Sequence, residues 1–89
     1  MPLQERAELV LITRVGCCLC EGLEEKLRAL GVELELRDVD ADPVLQARYG
    51  LEVPVLLRPA AVGEEPLPRV PPRIEGAQLR RWLQAHDLA

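Results

Sequence analysis

An α/β domain with the element order β-α-β-α-β-β-α is predicted by three observations. An apolar run, Leu9-Val10-Leu11-Ile12, meets a helical pattern across a short turn. A period-two stretch from Val32 to Val39 follows that helix, so the opening reads as a β-α-β unit: a parallel pair joined by a right-handed crossover. A third apolar run, Val53-Pro54-Val55-Leu56-Leu57-Arg58, opens on a proline after a short second helix.

Each element has its own signal. Ala7 to Thr13 is β-branched and apolar without clear alternation, as in a strand covered on both faces. Cys20, Leu23, Leu27 and Leu30 recur at helical spacing, with Glu21, Glu24, Glu25, Lys26 and Arg28 opposite. Gly31 stands where a left-handed C-cap belongs. In Val32-Glu33-Leu34-Glu35-Leu36-Arg37-Asp38-Val39 the alternation gives a strand with one wet face. Asp42 as N-cap and Pro43 at the first helical position start a helix over Val44 to Tyr49, which stops at Gly50. Pro54 has no N–H to donate, so it belongs at a strand start or a sheet edge. Residues Pro59 to Glu65 read as a loop, with Leu67 to Val70 returning as a short edge strand among Pro66, Pro68, Pro71 and Pro72. The last helix runs from about Ile74 to His86 and buries Leu79, Trp82 and Leu83.

The 89 residues are 48% apolar, the composition of a globular chain, and bound it to one small domain over 1–89. One Tyr, one Trp and no Phe leave the core to Leu, Val, Ile and Ala. A net charge of −4 argues against nucleic acid, whose binding requires a basic face. No apolar run approaches the roughly 20 residues of a membrane span, and residues 1–6 are too polar for a signal peptide. A cytoplasmic protein, expected to be a monomer, fits these features.

The chemistry gathers in Gly16-Cys17-Cys18-Leu19-Cys20, which holds all three cysteines of the chain. They are too clustered for a framework of structural disulfides, and in a reducing cytosol a C-x-x-C points to redox or metal chemistry. A helix N-terminus carries unpaired N–H groups and about half a positive charge, so a thiolate there is stabilised. Two thiols three positions apart on one turn can open and close a disulfide. The competing reading of Cys17 and Cys20 as small buried apolar residues is opposed by the turn. Cys18 reads as filler in the turn, as an accessory thiol, or as a third metal ligand. Structural zinc needs four ligands, and the chain offers three thiols on one turn and a distant His86, which suits a solvent-facing residue near a helix C-terminus.

Together, Arg14-Val15-Gly16-Cys17-Cys18-Leu19-Cys20-Glu21 and Glu52-Val53-Pro54-Val55 resemble the thioredoxin fold over essentially the whole chain, and within it the uncharacterised glutaredoxin-like proteins. The resemblance implies a four-stranded mixed sheet with helices on both faces. It implies that Cys17 is the exposed nucleophile and Cys20 the resolving thiol. Pro54 would be a cis-proline facing them, Val53 would offer its backbone to a substrate segment, and Arg14 would be a basic substrate-binding residue. Further arginines, Arg48, Arg58 and Arg73, are candidates for a basic rim. The sequence departs from glutaredoxins in the central Cys18-Leu19 pair, in Glu52 before Val53-Pro54, and in Glu75-Gly76-Ala77-Gln78, which lacks the Asp of the family's glutathione-binding segment.

The expected function is thiol–disulfide exchange through the Cys17/Cys20 pair, with no metal and no organic cofactor. The partner would be a disulfide-containing protein or glutathione, and glutathione or a reductase would restore the dithiol. The alternative is a non-catalytic thiol-rich binding module: a metal or iron–sulfur carrier, or a redox-sensing partner domain.

Overall fold

The computed structural model describes residues 9–71 and 73–86. Residues 7 and 8 of the expected first strand lie outside them. Four strands, β1 (Leu9–Thr13), β2 (Leu34–Asp38), β3 (Val55–Pro59) and β4 (Glu64–Pro66), form one sheet in the order β2-β1-β3-β4. Three α-helices accompany them: α1 (Cys18–Ala29), α2 (Pro43–Tyr49) and α3 (Gly76–Ala85). A 3₁₀ turn at Val39–Ala41 precedes α2.

β1 lies parallel to β2, with Leu9 opposite Leu34 and Thr13 opposite Asp38. It is antiparallel to β3, pairing Val10 with Leu57 and Ile12 with Val55. As an inner strand β1 is covered on both sides, which is why its sequence does not alternate. One face of the sheet presents Leu9, Leu11 and Leu56 to Leu23 and Leu27 of α1 and to Leu79 and Leu83 of α3. On the other face Val10, Ile12 and Leu57 meet Val39, with Leu45 and Tyr49 of α2 packed alongside. Helices therefore lie on both faces of a mixed sheet.

The caps follow the sequence signals. Asp42 accepts the N–H groups of Val44 (2.8 Å) and Leu45 (3.4 Å), and Pro43 occupies the first turn of α2. β2 is the edge strand, so Leu36 remains exposed despite the period-two pattern.

Three expectations are corrected. The returning strand is Glu64–Pro66 rather than Leu67–Val70. The Ala60 N–H donates to the Gly63 carbonyl (2.9 Å), and Gly63 takes a φ of 73° that favours glycine, so the chain reverses as soon as β3 ends. Pairing begins at once with Pro59 opposite Glu64. Leu67 and Val70 pack against the α1/α3 core instead. The last helix begins at Gly76, two residues after the expected start, because the Glu75 N–H is taken by the Gln78 side chain (3.0 Å) at its N-terminus. Trp82 is half-buried rather than core; its ring lies 4.4 Å from that of His86, which is therefore not simply solvent-facing.

An ion pair crosses the sheet face. Arg37 on β2 binds Glu64 on β4 through two 2.8 Å bonds, spanning β1 and β3, and also binds Glu35 (2.7 Å). Hydrogen bonding from Arg37 holds the Glu64 carboxyl below the usual carboxylate range.

Core truncation and surface truncation should separate cleanly in this fold. Leu27, fully buried under the sheet, should lose about 2–5 kcal/mol as Leu27→Ala in urea denaturation. Leu51, fully exposed, should change by no more than about 0.5 kcal/mol as Leu51→Ala. Similar costs at the two positions would contradict the packing described.

Candidate active site

The cysteine turn is set by local chemistry. The Cys17 N–H donates to the Arg14 carbonyl (3.1 Å), and Gly16 between them has φ 83°, the positive value that the third residue of a type II turn requires. Cys17 is the N-cap of α1. Its carbonyl accepts the Glu21 N–H (3.0 Å), the first bond of the helix, and its Sγ accepts the Cys20 N–H (3.2 Å). A sulfur thus takes the capping role usually filled by a Ser or Asp oxygen.

The cysteines are then divided by burial. Cys17 is half-exposed, whereas Cys20 is fully buried on the same side of α1 as Leu23 and Leu27. Their Cα atoms are 5.2 Å apart and their side chains are joined as a disulfide. Cys18 is exposed, free and outside the pair. Among the described residues no three His, Cys, Asp or Glu side chains are grouped to hold a metal ion.

The Val53–Pro54 peptide bond is cis, and Pro54 borders the same groove as Cys18 and Leu19. That groove, of about 200 Å³, runs between α1 and residues 69–71 and Ile74. Val53 lies just before β3, half-exposed, and neither its N–H nor its C=O is hydrogen-bonded within the described residues. Sheet geometry leaves that backbone edge able to pair with another extended segment.

Arg14 is held by its neighbours. Its Nε and Nη2 grip Asp40 (2.8 and 3.0 Å), and its Nη1 donates to the Gly50 carbonyl (3.0 Å). Gln46 also donates to Asp40 (3.1 Å). The guanidinium thereby ties the cysteine turn to the 3₁₀ turn and to the end of α2, where the chain turns toward Pro54. Hydrogen bonds from Arg14, more than simple charge attraction, hold the Asp40 carboxyl below its usual range. The candidate arginines Arg48, Arg58 and Arg73 do not gather at this groove. Arg58 binds Glu65 (2.7 Å) and the His86 carbonyl (3.2 Å), and neither it, Arg48 nor Arg73 lines the groove. The cations that do line it are Lys26 and Arg69.

Sequence reasoning missed three of these residues. Asp40 carried a usable signal: Asp38 caps the 3₁₀ turn (2.9 Å) and Asp42 caps α2, so the aspartate between them was left for another donor. Lys26 sits on the polar side of the α1 pattern, and Arg69 lies in a proline-rich loop without periodicity. Only the tertiary placement of residues 69–71 beside α1 brings the two together.

A sheet ordered β2-β1-β3-β4, a thiol pair at the first strand-to-helix turn and a Val-Pro junction opening β3 define a thioredoxin-like domain of glutaredoxin type. The family model described as Glutaredoxin-like domain (DUF836) matches residues 8–84, and the chain belongs to that family. It is similar to the X-ray structure of the Northeast Structural Genomics target protein XcR50 from X. campestris. The two share 34% identity over 86% of this chain and 96% of that one, with a TM-score of 0.61. It is likewise similar to the solution structure of XcR50, at 34% identity over 90% of this chain and 95% of that one, with a TM-score of 0.63. A search of the curated proteins gives no match. No helix among the described residues is long and apolar enough to cross a membrane.

The Arg14–Asp40 contact has a direct test in the titration of Asp40. Its lowered folded pKa means that its contribution to stability is present above the ordinary carboxylate range and is lost as pH falls through the lowered value. In Arg14→Ala the Asp40 carboxyl, followed by NMR, should titrate at higher pH than in the wild type. An unchanged midpoint would mean that the contact does not persist in solution.

Proposed function

We propose that the protein is a thiol–disulfide oxidoreductase whose working pair is Cys17 and Cys20. The observation that supports this most strongly is the asymmetry of the pair. Cys17 is half-exposed at the N-terminus of a twelve-residue helix, and fully buried Cys20 is joined to it by a disulfide one turn along. Such an arrangement offers one sulfur to a partner and withholds the other.

In the reduced protein the Cys17 thiolate attacks one sulfur of a substrate disulfide. A Cys17–substrate bond forms, the substrate S–S bond breaks, and its other sulfur leaves as a thiolate that takes up a proton. The Cys20 thiol, losing its proton, attacks Cys17 Sγ. The mixed disulfide breaks, the second substrate thiolate is released, and two electrons have passed from the protein to the substrate. The Cys20 N–H already aimed at Cys17 Sγ supports the first step, because a thiolate accepts that bond more strongly than a thiol. Glutathione or a reductase returns two electrons to the Cys17–Cys20 disulfide. No organic cofactor enters the scheme.

Val53 and Pro54 serve as the seat for the substrate chain, supported by the unpaired Val53 backbone and by the place of Pro54 on the groove. Arg14 acts on the site by holding the cysteine turn against the loop that leads to Pro54. Run in the reducing direction written here, the exchange is favoured in a compartment that keeps thiols reduced, and a cytoplasmic location would supply one.

Substitution of each cysteine distinguishes their roles. Cys20→Ser should accumulate a mixed disulfide on Cys17 when given a disulfide substrate, visible by intact mass and reversed by dithiothreitol. Cys17→Ser should lose catalysed exchange by roughly 100-fold or more, the order expected when a reacting group is removed. Trapping through Cys18 in either variant would contradict the assignment.

A further inference from the structure

Resting on that redox reading, we infer that the substrate disulfide is carried by an extended, acidic protein segment that places an apolar side chain in the groove between α1 and residues 69–71 and Ile74.

Four observations converge on this partner. The first is size. At about 200 Å³ the groove falls below the roughly 300–1,000 Å³ of pockets that enclose a whole small molecule. It has room for one or two side chains of a longer ligand. The second is its surface: Leu19, Leu23, Val70 and Ile74 contribute apolar walls, with Pro54 at one end.

The third is charge. A chain of net charge −4 lines this groove with two cations, Lys26 and Arg69, and with no carboxylate. Lys26 Nζ donates once, to the Ile74 carbonyl (2.8 Å), which leaves two of its three donors for a ligand. Arg69 makes one long bond, Nη1 to the Glu52 carbonyl (3.5 Å), and its remaining guanidinium donors have no partner within the described residues. The Glu52 residue itself lines a neighbouring groove that shares Pro54, Arg69 and Val70 with this one.

The fourth is the apolar surface around the disulfide. Val15 (86% exposed) lies in the cysteine turn, Leu19 (50%) in the first turn of α1, and Leu51 (101%) in the loop before Pro54. The Arg14–Gly50 hydrogen bond holds the first and last of these loops together. These three exposed side chains, close in sequence to the disulfide and to Pro54, offer apolar contacts to a protein partner. A segment pairing with the unpaired Val53 backbone would point alternate side chains to one side about 6.6–6.8 Å apart. Its cysteine then faces Cys17 while the side chain two residues along enters the groove.

The inference is tested with cysteine peptides whose thiol is capped as a mixed disulfide with thionitrobenzoate. Attack by Cys17 forms the protein–peptide disulfide and expels the coloured thionitrobenzoate anion, so the rate is read directly. One peptide carries Leu two positions from its cysteine, with Asp next to the Leu; in a second Asp becomes Lys, and in a third Leu becomes Ser. Glutathione capped in the same way is the fourth probe. The Leu/Asp peptide should react about 10-fold faster than the Lys peptide, the scale of two partly exposed charge contacts. It should also outpace the Ser peptide and capped glutathione. In Arg69→Glu, at an exposed loop position, the preference for Asp over Lys should vanish or reverse. Lys26→Gln should reduce it independently.

Equal rates for the three peptides, or a charge preference unmoved by both substitutions, would overturn the groove assignment while leaving the redox reading intact. Fastest reaction with capped glutathione would overturn the choice of a protein partner. If reduced wild-type protein released no thionitrobenzoate from any probe, the redox reading itself would fail.

Discussion

The docking of α1 onto β1 is the constraint on which the site depends. Leu23 and Leu27 lie against Leu9 and Leu11 of the inner strand, and no rotation of the helix keeps them there without also burying Cys20. The helical period then leaves Cys17 at the free end, where its sulfur caps the helix and meets solvent. Apolar packing that stabilises the domain thus also gives two chemically identical thiols different environments. Burial, rather than any special neighbour, distinguishes the position proposed to attack from the one proposed to resolve.

Charge pairs refine this frame more than they stabilise it. The contacts of Arg14 with Asp40 and of Arg37 with Glu64 are partly exposed, and pairs of that kind contribute little net free energy. What they do is fix geometry. Arg14 joins the cysteine turn to the end of α2, and Arg37 joins the two edges of the sheet across the strands between them. The two cations at the groove, Lys26 and Arg69, take no part in these ion pairs. Lys26 is anchored to the Ile74 carbonyl, so the charge also braces the wall of the groove.

Most of the fold was legible because local and tertiary signals agree. The unalternating β1, the leucines of α1 and the Asp42-Pro43 start of α2 each carry one dominant signal, and each element forms where expected. The return strand was misplaced because a run of prolines obscures period, while the turn that decides the register rests on one glycine whose left-handed conformation has no apolar pattern around it. Within the site, the cysteine turn and the Val53-Pro54 junction were readable as short motifs. Asp40 as the partner of Arg14 was not, since a contact between the first and second strand-to-helix connections depends on the parallel pairing of β1 and β2. The groove was invisible for the same reason: its cations lie far apart in sequence and meet only through the placement of residues 69–71 beside α1.

The most direct test of the account is a redox titration in glutathione buffers, quenched by alkylation and read by intact mass and peptide mapping. Cys17 and Cys20 should become protected together and reversibly, with a midpoint between about −270 and −120 mV, the span of known C-x-x-C proteins, and Cys18 should remain outside the pair. Alkylation of all three cysteines at every potential, or a disulfide that includes Cys18, would contradict the assignment of Cys17 and Cys20 as the working pair.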